Sequence, residues 1–248
     1  MTARTALYYG AIDLFPAFTT EQQRVYFDKQ EASRFDRMRP EVGKRFFWGR
    51  KLAKDALAKR LGCSPGGMTF SYTANGKPFL LGEPCHFSIS HCSTAVAVAI
   101  SDCNIGVDLE QLERRSGKLE PPWLQPENFL HPLSAALVEA ASSSQEKARL
   151  FMLLWTLMES QVKLFDSGIH RVIKTLAIDL NSHTQPAELR VLAGERCFWR
   201  SYNKGLAQGT EVLSVASHRQ LPKPELHIWQ QGGLKKVELE PDLESVVE

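Results

Sequence analysis

The sequence predicts an α+β protein of two similar halves, each a small, mostly antiparallel sheet packed with a long helix. Three observations lead there. Two segments with helical spacing, Glu41 to Leu61 and Ser143 to Phe165, are each followed by a run of short β-type segments. A polar, Pro-containing, aperiodic stretch, Arg114 to Asn128, lies between them, so the chain is expected to divide after Leu112 into residues 1–113 and 114–248. Finally, 248 residues with 43% hydrophobic and 23% charged side chains are enough to bury a sizeable core, which excludes a disordered chain.

The elements follow in order. In Glu41 to Leu61 the apolar residues Phe46, Phe47, Leu52, Ala56, Leu57 and Leu61 fall near helical spacing, and Gly62 supplies a stop. This helix lies in a basic stretch. From Arg24 to Arg60 there are twelve Lys or Arg against five Asp or Glu, a net +7 in a chain whose total is +2. Such a face is either simply solvated or receives an anion. The period then changes. Thr69 to Tyr72 and Phe79 to Leu81 flank Asn75-Gly76, a pair suited to a type I′ hairpin turn, with Pro78 fitting only an edge. Further strands are expected at His86 to Ser90, Ala95 to Ile100 and Ile105 to Glu110.

In the second half, Ser143 with Glu146 forms a candidate capping box, and the helix is expected to run to Phe165 with Gly168 ending it. Strands are expected at Leu176 to Leu180, Glu188 to Leu192, Cys197 to Tyr202 and Glu211 to Ala216. The acidic end, with Glu238, Glu240, Asp242, Glu244 and Glu248, reads as a solvated tail. The five cysteines, without a C-x-x-C, indicate neither a disulfide framework nor a zinc site and suit a reducing cytoplasm. The most apolar run, Thr94 to Ile100, is far short of the roughly 20 residues of a spanning helix, so no membrane insertion or secretion is expected.

Three segments carry chemistry. In IGVDLEQ (Ile105 to Gln111), strand alternation puts Gly106, Asp108 and Glu110 on one side, with Gly106 leaving open backbone where a ligand could approach. Two carboxylates on one small surface repel one another unless a cation sits between them. In WTLMESQVKLF (Trp155 to Phe165), Glu159 and Lys163 are four apart and share a helix face, while Trp155 on the same stripe suits the core. Three oxygen ligands without His or Cys suit Mg²⁺. In FSISHC (Phe87 to Cys92), Ser90 and His91 are neighbours on a strand and point oppositely, and no G-x-S-x-G surrounds the serine, which argues for phosphate binding rather than a nucleophile. Lys77, in NGKPF, either presents a cation to the same anion or is a solvated turn lysine.

The ordered set NGKPF, FSISHC, IGVDLE and WTLMESQVK resembles the surfactin-type 4′-phosphopantetheinyl transferases, with the basic stretch Arg34 to Leu57 similar to that family's early basic helix. The resemblance runs from about Arg34 to Gly168, and the 49 residues between Glu110 and Glu159 are near the family's spacing. It implies an α+β fold with the active site in a cleft between the halves, and Mg²⁺ held by Asp108, Glu110 and Glu159. It also implies transfer of the phosphopantetheine arm of coenzyme A to a serine of an apo acyl or peptidyl carrier protein, with release of adenosine 3′,5′-bisphosphate. Glu159 is the implied base, Lys163 the acid or charge partner, and Asp108 a catalytic ligand; Arg45, Lys77, Ser90 and His91 are assigned to coenzyme A, with Arg34 and Lys44 as further candidates. No nucleic acid or membrane partner is implied, and a cytoplasmic monomer is expected. Two departures stand out: Met158 replaces the lysine usual before the helix glutamate, and Cys92 replaces a serine. A metal-dependent nuclease, and a non-catalytic descendant that only binds coenzyme A or a carrier, remain as alternatives.

Overall fold

The computed structural model describes residues 4–111, 121–181, 187–195, 197–203, 206, 210–220, 222–230 and 233–245. In chain order, β1 (Thr5–Ala11) leads to α1 (Thr20–Tyr26), α2 (Lys29–Phe35) and α3 (Pro40–Leu61). Then come β2 (Ser71–Tyr72), β3 (Pro78–Phe79), β4 (His86–His91), β5 (Ala95–Ser101) and β6 (Ile105–Gln111). The helices α4 (Pro132–Glu139), α5 (Ser144–Phe165) and α6 (Ile169–Thr175) follow. The remaining strands are β7 (Ala177–Asn181), β8 (Ala187–Ala193), β9 (Phe198–Tyr202), β10 (Glu211–Ser217), β11 (Glu225–Gln230), β12 (Gly233–Val237) and β13 (Leu243–Ser245). The class is α+β, as the sequence predicts.

Two compact units form, and they are not two consecutive halves. The changeover falls between Ile105 and Gly106 rather than after Leu112, and residues 222–238 return to the first unit. The reason is strand pairing: β11 lies parallel to β1, with Leu7 opposite Leu226 and Tyr8 opposite His227. The connecting stretch from Arg114 lies outside the described residues as far as 120.

The first unit holds a five-stranded sheet in the order β12-β11-β1-β5-β4. Its interior strand β5, AVAVAIS, is buried along its whole length, which is why it reads as a continuous apolar run rather than an alternation. Helix α3 lies on this sheet. It starts with Pro40 at a position where a missing N–H costs nothing, and it ends at Gly62 in the left-handed region, φ 69°. Close approach is possible at Gly49, where an added Cβ would stand 3.2 Å from Ile89. Phe47, Trp48, Leu52 and Leu57 then meet Phe87, Val96 and Val98 in the core.

Part of the basic stretch turns inward. Glu31 is buried between Arg50, at 2.8 Å, and Lys54, at 2.7 Å. Lys51 holds Asp55 at 2.6 Å, and Arg60 pairs with Asp102. Four of the twelve basic side chains are thus matched by carboxylates, and the exposed positive charge sits on Arg24, Lys29, Arg34, Arg37, Arg39 and Lys59. The hairpin also differs from expectation. β2 and β3 pair only as Ser71 with Phe79 and Tyr72 with Pro78, joined through residues 73–77. Gly76 has φ 85°, but Asn75 does not share a positive φ, so the type I′ turn is replaced by a wider loop closed by Thr73 N donating to Lys77 O at 3.0 Å.

The second unit holds a six-stranded sheet, β6-β10-β9-β13-β8-β7. Helix α5 crosses it, and Leu154, Leu157, Met158 and Leu164 pack with Trp199, Val212 and Ala216. Ser143 caps α5 by accepting from Glu146 N at 3.2 Å, while the Glu146 carboxylate turns to Ser142 instead of closing the box. The helix ends at Asp166 in the left-handed region rather than at Gly168, which begins α6. The acidic end is not a free tail where it is described. Leu243–Ser245 is a strand between β8 and β9, Asp242 accepts from Asn203 N at 2.7 Å, and Glu244 pairs with Arg200.

Candidate functional site

Within the second unit, Gly106 fixes how α5 meets β6. A Cβ on Gly106 would stand 2.0 Å from Ser160 O and 2.5 Å from Leu164 N. The open backbone expected beside the acids is therefore filled by the helix itself, and the glycine serves close packing rather than ligand approach. Alternation along β6 then carries Asp108 and Glu110 to the side on which α5 lies, while Ile105, Val107 and Leu109 are buried on the other.

Two further contacts hold α5 in place, one of them backed by a bond between strands β10 and β9. Thr156 Oγ1 and Ser214 Oγ are 2.8 Å apart, Ser214 Oγ donates to Ser201 Oγ at 3.1 Å, and the Trp199 indole donates to Leu157 O at 3.0 Å. All these groups are buried, where a satisfied hydrogen bond strongly favours one helix placement over its neighbours. Trp155 stacks with Phe151 at 6.1 Å, as a core aromatic should.

With α5 so placed, Lys163 Nζ donates to Asp108 Oδ1 at 2.7 Å. The Lys163 side chain keeps 28% of its exposure and that of Asp108 only 6%, so the pair is half-sheltered and the carboxylate is the better enclosed partner. Glu159 lies one turn earlier on α5 and is half-buried, as is Glu110 on β6. The site therefore combines two acids on one strand face with an ammonium already engaged with the first, while Glu159, expected as a third ligand, does not group with the two strand acids around one ion.

The donor set suits a hard cation. Mg²⁺ is commonly held by one or two carboxylates, with waters and phosphate oxygens completing its shell, and Asp108 with Glu110 supply such a pair. Among the described residues, no three His, Cys, Asp or Glu side chains stand together so as to hold one ion. A cation held by this pair would meet the Lys163 ammonium on the same carboxylate.

Met158 is the residue whose environment the sequence does not show. It is 3% exposed, inside the core beside Leu154 and Leu157. A side chain there packs against the sheet rather than joining the acids.

The residues assigned to coenzyme A lie in the first unit. Arg45 is on the first turns of α3, and its Nε is buried without a hydrogen-bond partner among the described residues. Lys77 Nζ donates to Asn104 Oδ1 at 3.0 Å and to Ile105 O at 3.2 Å, so it clasps the loop after β2 to the turn before β6. It is half-buried, not a solvated turn lysine. Burial, and then the Lys77 ammonium, hold the nearby His86 below the usual imidazole range. Ser90 is buried and His91 exposed at the end of edge strand β4, which confirms that the two neighbours point apart. Arg34 reaches over the Phe46 ring at 5.4 Å, and Lys44 is half-buried on α3.

This arrangement, acids on a strand face beside a lysine-bearing helix, coincides with a recognised family. Residues 104–216 match the model of the 4′-phosphopantetheinyl transferase superfamily. Among curated proteins, the chain is 27% identical over 157 residues to a 4′-phosphopantetheinyl transferase of Bacillus subtilis, covering 62% of this chain and 66% of that one. It is 31% identical over 156 residues to the 4′-phosphopantetheinyl transferase HetI of a Nostoc strain, covering 61% and 63%. It is 28% identical over 133 residues to the transferase gsp of Aneurinibacillus migulanus, covering 54% and 53%. The matched stretch thus spans just under two thirds of the first two relatives and about half of the third. Residues 104–216 are thus similar to the 4′-phosphopantetheinyl transferase superfamily.

Proposed function

We propose that this protein transfers the 4′-phosphopantetheine arm of coenzyme A to a serine of an apo carrier protein, acyl or peptidyl. The observation that carries the reading is the acid and ammonium grouping of Asp108, Glu110 and Lys163 on the matched segment, with Glu159 one turn from Lys163. In the reaction the serine Oγ forms a bond to the phosphorus bearing the pantetheine arm. The bond from that phosphorus to the bridging oxygen breaks, and adenosine 3′,5′-bisphosphate leaves. Glu159 takes the serine proton, directly or through a water, and Lys163 balances charge on the departing phosphate. Asp108 and Glu110 would hold Mg²⁺, which when bound supplies positive charge against the pyrophosphate.

Arg45, Lys77, Ser90 and His91 bind the coenzyme. The buried Nε of Arg45 supports an anionic partner, since a buried donor left unpaired is costly. The exposed arginines of α1 and α2 and of the turn after them suit an acidic carrier. Five free thiols fit a reducing cytoplasm, and among the described residues no helix is long and apolar enough to cross a membrane. A nuclease reading explains neither NGKPF nor FSISHC.

The test is mass spectrometry of apo acyl and peptidyl carrier proteins after incubation with the protein, coenzyme A and Mg²⁺. A phosphopantetheine mass gain on at least one carrier is expected, with the rate reduced at least about a hundredfold in Glu159→Gln. No gain on any carrier, while coenzyme A still binds, would leave only the non-catalytic reading.

A further inference from the structure

Lys163 and a divalent cation compete for the same carboxylate. The ammonium is 2.7 Å from Asp108 Oδ1, and the Asp108 side chain is nearly enclosed while Lys163 retains more than a quarter of its exposure. The more mobile partner is therefore the lysine, which has four flexible methylenes and an open path to solvent. Gly106 and the buried contacts of Thr156 and Trp199 hold the backbone of α5, so the side chain rather than the helix is what can move.

We infer that Lys163 is a built-in counter-ion for Asp108, and that it is displaced when a divalent cation binds there. This rests on the metal reading above and adds an order of events. With no metal bound, the lysine neutralises a carboxylate that would otherwise stand buried beside Glu110, a like charge on the same strand face. When the cation takes over that carboxylate, the ammonium is released on the face that also carries Glu159, free to meet an incoming phosphate. Lys163 therefore weakens the first ligand to arrive and serves the second.

Mg²⁺ binding to the whole protein, without coenzyme A, tests this by calorimetry. Lys163→Met is expected to tighten Mg²⁺ about fivefold, the loss of one competing ion pair worth about 1 kcal/mol. Lys163→Arg, which keeps the charge, is expected to leave affinity near that of the unaltered protein. Mg²⁺ should also raise the thermal midpoint of Lys163→Met more than that of the parent, a check independent of turnover and of whether the variant has lost stability. Unchanged or weaker Mg²⁺ binding in Lys163→Met, with Asp108→Asn still abolishing it, overturns the exchange and spares the metal site. Binding that survives Asp108→Asn, or is absent from every form, overturns the metal site and the exchange together.

Discussion

At the scale of one residue, the absence of a single carbon at position 106 governs the distance between β6 and α5. Any side chain there would enter the backbone of α5 at Ser160 and Leu164. Backbone cannot rotate aside as a side chain can, so the helix must withdraw, and Lys163 withdraws with it. Gly106→Ala is expected to cost about 3 kcal/mol of stability, at the upper end of overpacking penalties, read from the urea midpoint at unchanged slope. The Lys163 to Asp108 contact should lengthen in its crystal structure. Nothing in the sequence distinguishes this role from open space for a ligand, because a glycine reports only that no side chain is tolerated.

At the scale of an element, α5 has two working faces. One carries Leu154, Leu157 and Met158 into the sheet, and the other carries Trp155, Glu159 and Lys163 along a stripe. The 3.6-residue period that predicts the helix also sets Met158 about 100° away from Glu159. That angle turns Met158 into the core. Met158→Lys would therefore bury an ammonium among apolar neighbours, with an expected loss of about 3 kcal/mol or more, whereas Met158→Leu should cost less than about 1.5 kcal/mol. Thermal unfolding separates the two. Restoring the family's usual lysine is expected to give no gain in transfer.

At the scale of the whole molecule, the chain returns late to the sheet it starts. Strand β11 joins β1, and His227 stacks on Tyr8 with ring centres 4.9 Å apart and planes 11° from parallel. Burial, then the Lys59 ammonium, hold His227 below its ordinary pKa despite the opposing Glu225 carboxylate. The folded state thus takes up the proton less readily than the unfolded chain. The neutral ring's contribution is complete above about pH 6.5 and is lost as pH falls from there through the lowered folded value. Stability measured between pH 7 and 5 should fall accordingly, and His227→Phe, which keeps the stack, should flatten that part of the decline.

Much of this protein follows from pattern alone. Helix α3 and strands β4, β5 and β6 lie within about a residue of where periodicity puts them, because each is long enough for its apolar spacing to be decisive. The motif residues Asp108, Glu110, Glu159 and Lys163 are identified by type and spacing. Tertiary structure alone decided the rest. That Lys163 meets Asp108, that Gly106 admits a helix, and that Leu243–Ser245 is a strand rather than tail all depend on partners far away in the chain. Local sequence encodes period and turn chemistry. Pairing between distant strands depends on which edges are left open once the other elements have packed, and that is a property of the assembled molecule.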